Sequence, residues 1–565
     1  MRKLLIPAIL ILTVAFLVRL PYLTREFVLE EGLHIKVVEG VLKTGYPYVY
    51  LGEQEPGSIF VDRAPVLFFL IASSFKLFGE SELTARLVPM LFSLAEIFIV
   101  VYFTNSIFTR KQSKLVAIVA GLFLALHPYV IQNSLQIHFD GIFSFFSTFF
   151  LLLSLNKIVK KQNSWKDHLQ LAIVLFFAFS LKYEASLISV LIVLFFALFF
   201  YRKFLTIFFI FSLSSIGCFF GIFYLYNLWF GHSDLFWVPI SRVLWVFEKI
   251  LIPKFTSIEA STKSRKLWAD NYYLLIRFLS WLSIPTILLL FFSFLEIIKS
   301  KVITKNPQVV FLFLWIFIFS GIYILGGWAG DYPRYFAPVM PGISILIGLA
   351  VVNTLYKLQN GINLRAILLI GLLSVLILII TKSSGFLFLD HITGWVPKLQ
   401  NPFFVILLSG MLFITLARTK IIPSYLMLFL IFLNLGQIFF QNLHNLATPY
   451  SLTNLYGYGG YRESGQFLKQ HFSNQDVVYI FDPIGYYFQG KYYDHYQIWA
   501  HPQRYPVAIK AFTSKTIAAV ALPALTIDEL KAIFRSYNLD LDQYLMENFK
   551  NHKNIGGKSG IEIWY

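Results

Sequence analysis

An α-helical polytopic membrane protein with about thirteen transmembrane helices and a small C-terminal extracytoplasmic α/β domain is the architecture this sequence predicts. Three observations predict it. Of 565 residues 57% are hydrophobic and only 14% charged, which leaves more apolar surface than one water-soluble core can bury. Apolar runs of membrane-spanning length recur from the N-terminus to about residue 440. Beyond about residue 441 the composition turns polar, and short strand and helix patterns replace the long apolar runs. The domain division follows as 1–441, a transmembrane domain with interfacial helices in its first external loop, and 442–565, a soluble α/β domain.

In chain order, spans are expected at 4–23, 84–108, 114–132, 141–156, 168–183, 186–201, 204–226, 272–298, 308–325, 335–355, 365–381, 402–417 and 422–440. Arg2 and Lys3 precede the first run and no small-residue cleavage site follows it, so it reads as a retained span with its N-terminus inside. Alternation then places Arg110, Lys111 and Lys114, Lys157 to Lys166, Arg202 and Lys203, Lys299 to Lys305, Lys357 and Arg365, and Arg418 and Lys420 on the cytoplasmic side. That agreement requires 65–78, too short to cross, to be a helix lying at the interface. The formal charge of +17 is therefore a topology signal rather than a footprint for nucleic acid. The 61 phenylalanines and 31 tyrosines fit lipid-facing helices with aromatic interfacial belts. A single cysteine, Cys218, excludes an internal disulfide and a multi-cysteine metal site.

In the polar C-terminal part, Tyr456 to Gly460 reads as a turn-rich linker and Asp476 to Phe481 as a buried strand. Thr526-Ile527-Asp528-Glu529 reads as a capping box opening a helix to about Tyr537, and Ile561 to Tyr565 as a terminal strand. His495 and His501 read as surface histidines.

The chemistry concentrates in the external loops. Glu30-Glu31-Gly32-Leu33-His34, followed by Arg63-Ala64-Pro65, sets a carboxylate pair and a cation just beyond the first span, where charge is costly without a task. No Gly-rich strand-turn-helix pattern for a nucleotide sugar is present, so an activated group would come from a lipid carrier whose phosphate lies at headgroup level. Such a reaction needs a base to take a proton from an acceptor hydroxyl or amine and a fixed cation for the departing phosphate. Glu30 with Asp140, and Arg63, suit those roles. Arg86, Lys182, Asp331, Arg334 and His34 are further candidates for binding substrate.

Each candidate also has a bland reading. Glu30 and Glu31 can be a solvated helix start and Asp140 an N-cap. Arg63 can hold lipid headgroups, Arg86 can pair with an acidic neighbour, and Lys182 can pair with adjacent Glu184. Asp331 and Arg334 can form an ion pair within their loop, and His34 can be a packed, hydrogen-bonded histidine. No cofactor is indicated; a divalent metal held by Glu30, Glu31 and His34 is an alternative.

The residues resemble a family, the GT-C type polytopic glycosyltransferases, and within it the protein O-mannosyltransferases and the lipid A aminoarabinose transferase. The resemblance is carried by Arg19-Leu20-Pro21, by Glu30-Glu31 where the family usually has Asp-Glu, by Gly45, and by Arg63-Ala64-Pro65 where a Lys and one or two prolines are common. It continues through Lys76 to Glu82, Ala85-Arg86-Leu87, His127-Pro128, Phe139-Asp140 and Arg334-Tyr335 with Pro338 and Pro341. It covers the first 200 residues or so well, the middle loosely and the terminal domain only in position. The resemblance implies a polyprenyl-phosphate-linked sugar donor and transfer to a lipid, glycan or protein acceptor on the extracytoplasmic face. It also implies Glu30, or else Glu31, as base and Arg63 as phosphate ligand. The departure at Glu30 adds one methylene to the reacting side chain. A polyprenyl-diphosphate-glycan ligase or polymerase is the competing enzyme reading, and a lipid or glycan transporter the non-enzymatic one. No internal repeat supports the transporter.

Overall fold

The computed structural model of the chain describes residues 2–28, 30–49, 59–60, 63–108, 113–251, 306–326, 333–358, 422–447, 459–499, 504–556 and 560–565, with a few positions between 282 and 294 and between 368 and 374. The spans expected at 272–298, 365–381 and 402–417 lie wholly or mostly outside the described residues, as do Asp331, His501 and the side chain of Glu30. The chain divides into two compact units, one of residues 1–21, 90–135 and 139–444, the other of residues 22–89, 136–138 and 445–565.

The helices up to residue 251 are α1 (Arg2–Arg19), α2 (Glu30–Thr44), α3 (Val66–Phe78), α4 (Glu82–Ile107), α5 (Ser113–Leu126), α6 (Pro128–Asn133), α7 (Phe139–Val159), α8 (Trp165–Leu181), α9 (Tyr183–Phe200), α10 (Leu205–Trp229) and α11 (Trp237–Leu251). They are followed by α12 (Pro307–Gly326), α13 (Met340–Leu358) and α14 (Ile422–Ala447). Among the described residues six helical segments are long and apolar enough to cross a membrane: Leu4–Tyr22, Glu82–Ile107, Phe139–Val159, Tyr183–Phe200, Arg202–Trp229 and Arg334–Tyr356.

In the first unit α5 packs between α1 and α13, α8 packs on α7 and α10, and α12 packs on α9. Leucines and phenylalanines such as Phe209, Leu213 and Leu225 of α10 stay exposed on the outside, as a lipid-facing helix requires. Local chemistry sets several ends. Ser164 and Asp167 form a reciprocal capping box at the start of α8. The run expected at 114–132 breaks at His127-Pro128, because a proline cannot donate the next helical hydrogen bond and instead opens α6 at its first position. The run expected at 335–355 starts as a 3₁₀ helix over Pro333–Val339, which contains Pro338, and becomes α-helical at Met340.

The second unit holds α2, α3, the first turns of α4 and the polar C-terminal region. Val66–Phe78 is a 13-residue helix, too short to span. The C-terminal helices are α15 (Tyr461–His471), α16 (Asp482–Phe488), α17 (His495–Trp499), α18 (Tyr505–Thr513), α19 (Ile527–Arg535) and α20 (Leu541–Asn548). The strands β1 (Val477–Ile480), β2 (Lys491–Asp494), β3 (Ile517–Pro523), β4 (His552–Ile555) and β5 (Ile561–Trp564) form one sheet in the order β2-β1-β3-β5-β4. β2, β1 and β3 are parallel, joined by helical crossovers, and β5 runs antiparallel to both β3 and β4. α2 packs on α3 and on α16. That approach needs Gly32, where a Cβ would lie 2.9 Å from the Pro483 Cα.

Two local expectations are corrected here. Thr526 does not form a capping box: it ends a 3₁₀ turn, so its hydroxyl donates back to the Pro523 carbonyl, and Glu529 meets His495 instead. His495 is not a surface residue but 0% exposed, its ring bridging the Tyr479 hydroxyl (3.0 Å) and the Glu529 carboxylate (3.1 Å). A sheet-facing tyrosine and a helix carboxylate give both ring nitrogens partners, which is what permits a histidine to be buried.

Candidate active site

The first group of candidate residues lies in the second unit, around the start of α2. Glu31 is buried and both of its oxygens are engaged. Oε2 accepts from the Arg86 guanidinium at 2.6 Å and from the Val28 N–H at 3.2 Å, and Oε1 accepts from the Ile137 N–H at 3.0 Å. Arg86, one turn into α4, also donates to the carbonyls of Leu23, Arg25 and Glu26. One guanidinium therefore fastens the segment leading into α2 and neutralises the buried carboxylate. Removing either partner would leave an uncompensated charge. Of the two readings of Arg86, the pair with an acidic neighbour is the one observed.

His34, one turn further along α2, meets the Ile137 carbonyl at 2.6 Å through Nδ1, and its ring packs among Phe60, Phe68 and His138. It is the packed, hydrogen-bonded histidine. Arg63 is half-buried in the bend just before Pro65, which opens α3. Glu30 is the first residue of α2. Among the described residues no group of three or more His, Cys, Asp or Glu side chains could hold a metal ion.

The second group lies in the first unit. Asp140, 1% exposed in the first turn of α7, accepts from Lys182 Nζ through Oδ1 and lies 3.5 Å from Arg334 Nε through Oδ2. Lys182 is the single extended residue between α8 and α9, with φ −152° and ψ 95°, and that break in the helix carries its side chain to Asp140. Its ammonium also lies 3.8 Å from the centre of the Tyr335 ring. Arg334 belongs to the 3₁₀ helix before α13. Two expectations change. Lys182 pairs with Asp140 rather than with adjacent Glu184, because neighbouring residues across a helix break diverge. Asp140 is no N-cap, since it sits inside the first turn with its carboxylate turned to the two cations.

One buried carboxylate, Glu96, escaped sequence reasoning. Glu96, within α4, accepts from Ser144 (2.6 Å) and Thr148 (2.9 Å) of α7. Arg19 at the end of α1, fully buried, donates to Ser134 Oγ (2.9 Å) and to the carbonyls of Ala15 and Ala125. Glu96 and Ser93 line a cavity of about 20 Å³ with Asn133, Ser134 and Ser144. The available signal was a carboxylate in the middle of a 26-residue apolar helix, well beyond its first turn.

Residues 62–226 match the model of the dolichyl-phosphate-mannose-protein mannosyltransferase family, a stretch that contains Arg63, Arg86, Asp140 and Lys182. Among solved structures the chain is similar to ArnT from Cupriavidus metallidurans bound to undecaprenyl phosphate, with a TM-score of 0.59 and 14% identity over 98% of this chain and 97% of that one. It is also similar to the archaeal oligosaccharyltransferase AglB from Archaeoglobus fulgidus in complex with an inhibitory peptide and a dolichol-phosphate, with a TM-score of 0.50 and 13% identity over 99% of this chain and 74% of that one. No curated protein sequence matches the chain. The chain thus has the fold of the GT-C type polytopic glycosyltransferases, the architecture its own sequence resembles.

Proposed function

We propose that this chain is a membrane glycosyltransferase that moves a sugar from a polyprenyl-phosphate carrier to an acceptor on the extracytoplasmic face. The observation that carries the reading is the engagement of Glu31 in a chain of this fold. Arg86 and two backbone amides occupy both oxygens of Glu31, so of the two adjacent carboxylates Glu30 is the one assigned to proton transfer. The lipid phosphates named with ArnT and AglB, and the mannosyltransferase model matched by 62–226, support a lipid-phosphate donor.

In this mechanism Glu30 takes the proton from an acceptor hydroxyl or amine. The acceptor atom bonds to the anomeric carbon as the bond from that carbon to the phosphate oxygen breaks, and the electron pair leaves with the phosphate. Attack opposite the leaving group inverts the anomeric centre. Arg63, always charged and able to bind bidentately, stabilises the departing phosphate. Asp140 fixes Lys182 and Arg334, which are assigned to substrate binding.

The test is transfer in liposomes supplied with a polyprenyl-phosphate sugar. Glu30→Gln is expected to lower the rate by at least about 100-fold, the contribution of a positioned general base; a fully active variant removes Glu30 from that role. The likeness to AglB favours, as a second reading, transfer of an oligosaccharide to a peptide, although this chain spans 74% of that protein. A lipid-linked oligosaccharide and a peptide in the same liposomes separate the two.

A further inference from the structure

Helix α15 starts without a cap of its own. Its N-cap is Gly460, at φ +93° in the left-handed region that favours glycine, and this residue has no side chain to cover the first N–H groups. The missing acceptor comes from the other end of the sequence. The Glu26 carboxylate accepts from the Gly460 N–H and the Arg462 N–H, each at 3.0 Å, across 434 and 436 residues of chain. A carboxylate there satisfies two orphan donors and meets the positive end of the helix dipole. Burial raises the pKa of Glu26, and the two N–H bonds oppose that rise by favouring the charged form.

The neighbouring contacts run in the same direction. Arg462 donates to the Thr24 carbonyl (2.7 Å) and to Glu82 (2.8 Å). The Tyr487 hydroxyl accepts from the Phe27 N–H (2.8 Å) and donates to Glu82 (3.1 Å). Residues 24, 26 and 27 are thus held by the C-terminal region, while Arg86 holds the carbonyls of 23, 25 and 26. Only two residues separate this doubly held segment from the first turn of α2, which carries Glu30 and Glu31.

We propose that Glu26 is a positioning residue for the reaction: by capping α15 it makes the C-terminal α/β region part of the scaffold that orients the start of α2. The inference rests on the functional reading above for its catalytic half only. Its structural half is read by hydrogen exchange on the full-length protein, without substrate. Glu26→Gln is expected to speed exchange of the Gly460 and Arg462 amides by about fivefold, the worth of a helix cap, and to speed exchange across 27–31 as well.

The catalytic half is read at a temperature at which the variant remains folded. There kcat is expected to fall about 10- to 100-fold with the KM for donor unchanged, as for a small displacement of a reacting group. Tyr487→Phe, which removes one hydroxyl and little volume, is expected to change both readouts in the same direction by less. Unchanged exchange across 27–31, or altered exchange with an unaltered kcat, overturns the proposal. If the wild-type chain transfers no sugar, the functional reading falls, and exchange across 27–31 still decides whether Glu26 couples the two segments.

Discussion

Two buried carboxylates organise the candidate residues, and they are built differently. Glu31 in the second unit faces one guanidinium, and the remaining bonds of both partners run to backbone amides and carbonyls. Asp140 in the first unit faces two cations, from the break between α8 and α9 and from the 3₁₀ helix before α13, with an aromatic ring against one of them. A carboxylate tied to backbone fixes the course of the chain. A carboxylate met by two long side chains fixes where their charges lie, and it gathers positive charge that an anion could meet. The first arrangement suits a scaffold and the second suits a binding site.

The largest effect that tests this contrast is on stability. Arg86→Met strands the Glu31 carboxylate and frees three carbonyls, so it is expected to cost about 3–5 kcal/mol, read as a lower unfolding temperature of the detergent-solubilised chain. Lys182→Met leaves Asp140 beside Arg334 and is expected to cost about 1–2 kcal/mol while raising the KM for donor. If the two variants lose equal stability, the distinction between scaffold and binding site fails.

Another buried carboxylate, Asp482, sharpens the contrast through pH. Asp482 has no hydrogen-bond partner for either oxygen among the described residues. Burial pushes its pKa up to about 7; Lys36 opposes the rise and Glu39 adds to it. Because the folded value lies above the unfolded value of about 3.9, the folded chain holds this proton more tightly. The contribution of Asp482 is therefore greatest below about pH 4, declines by about 1.4 kcal/mol per pH unit as pH rises to about 7, and is constant above that. Asp482→Asn is expected to flatten this part of the stability profile. A variant with the same slope as wild type would show that the proton is held elsewhere.

Much of the architecture is legible in the sequence. A bilayer demands about 20 apolar residues per helix, so composition and run length place most helices to within a few residues, and proline chemistry explains the two that break early. β1 and β5 were legible as short apolar strands. The candidate site was legible as a set of residues but not as an arrangement. Arg86, Glu31, Asp140 and Lys182 could be singled out because charge beside an apolar span is costly. Their pairings were not readable, because the nearest charge in sequence is often not the nearest in space. Lys182 lies two residues from Glu184 in sequence yet bonds Asp140, 42 residues earlier. His495 looked like a surface histidine because its two partners come from β1 and α19, 16 and 34 residues away.

By itself, then, the sequence determined the membrane class, most helix positions, the polar C-terminal α/β module and the carboxylates and cations worth watching. Those properties follow from length, hydropathy and local backbone chemistry, all of which act over a few neighbouring residues. Only the tertiary structure decided which carboxylate meets which cation, that Glu31 is committed to Arg86, and that Glu26 caps a helix 434 residues away. A buried charge takes the partner that packing delivers, and packing joins segments whose separation along the chain carries no signal.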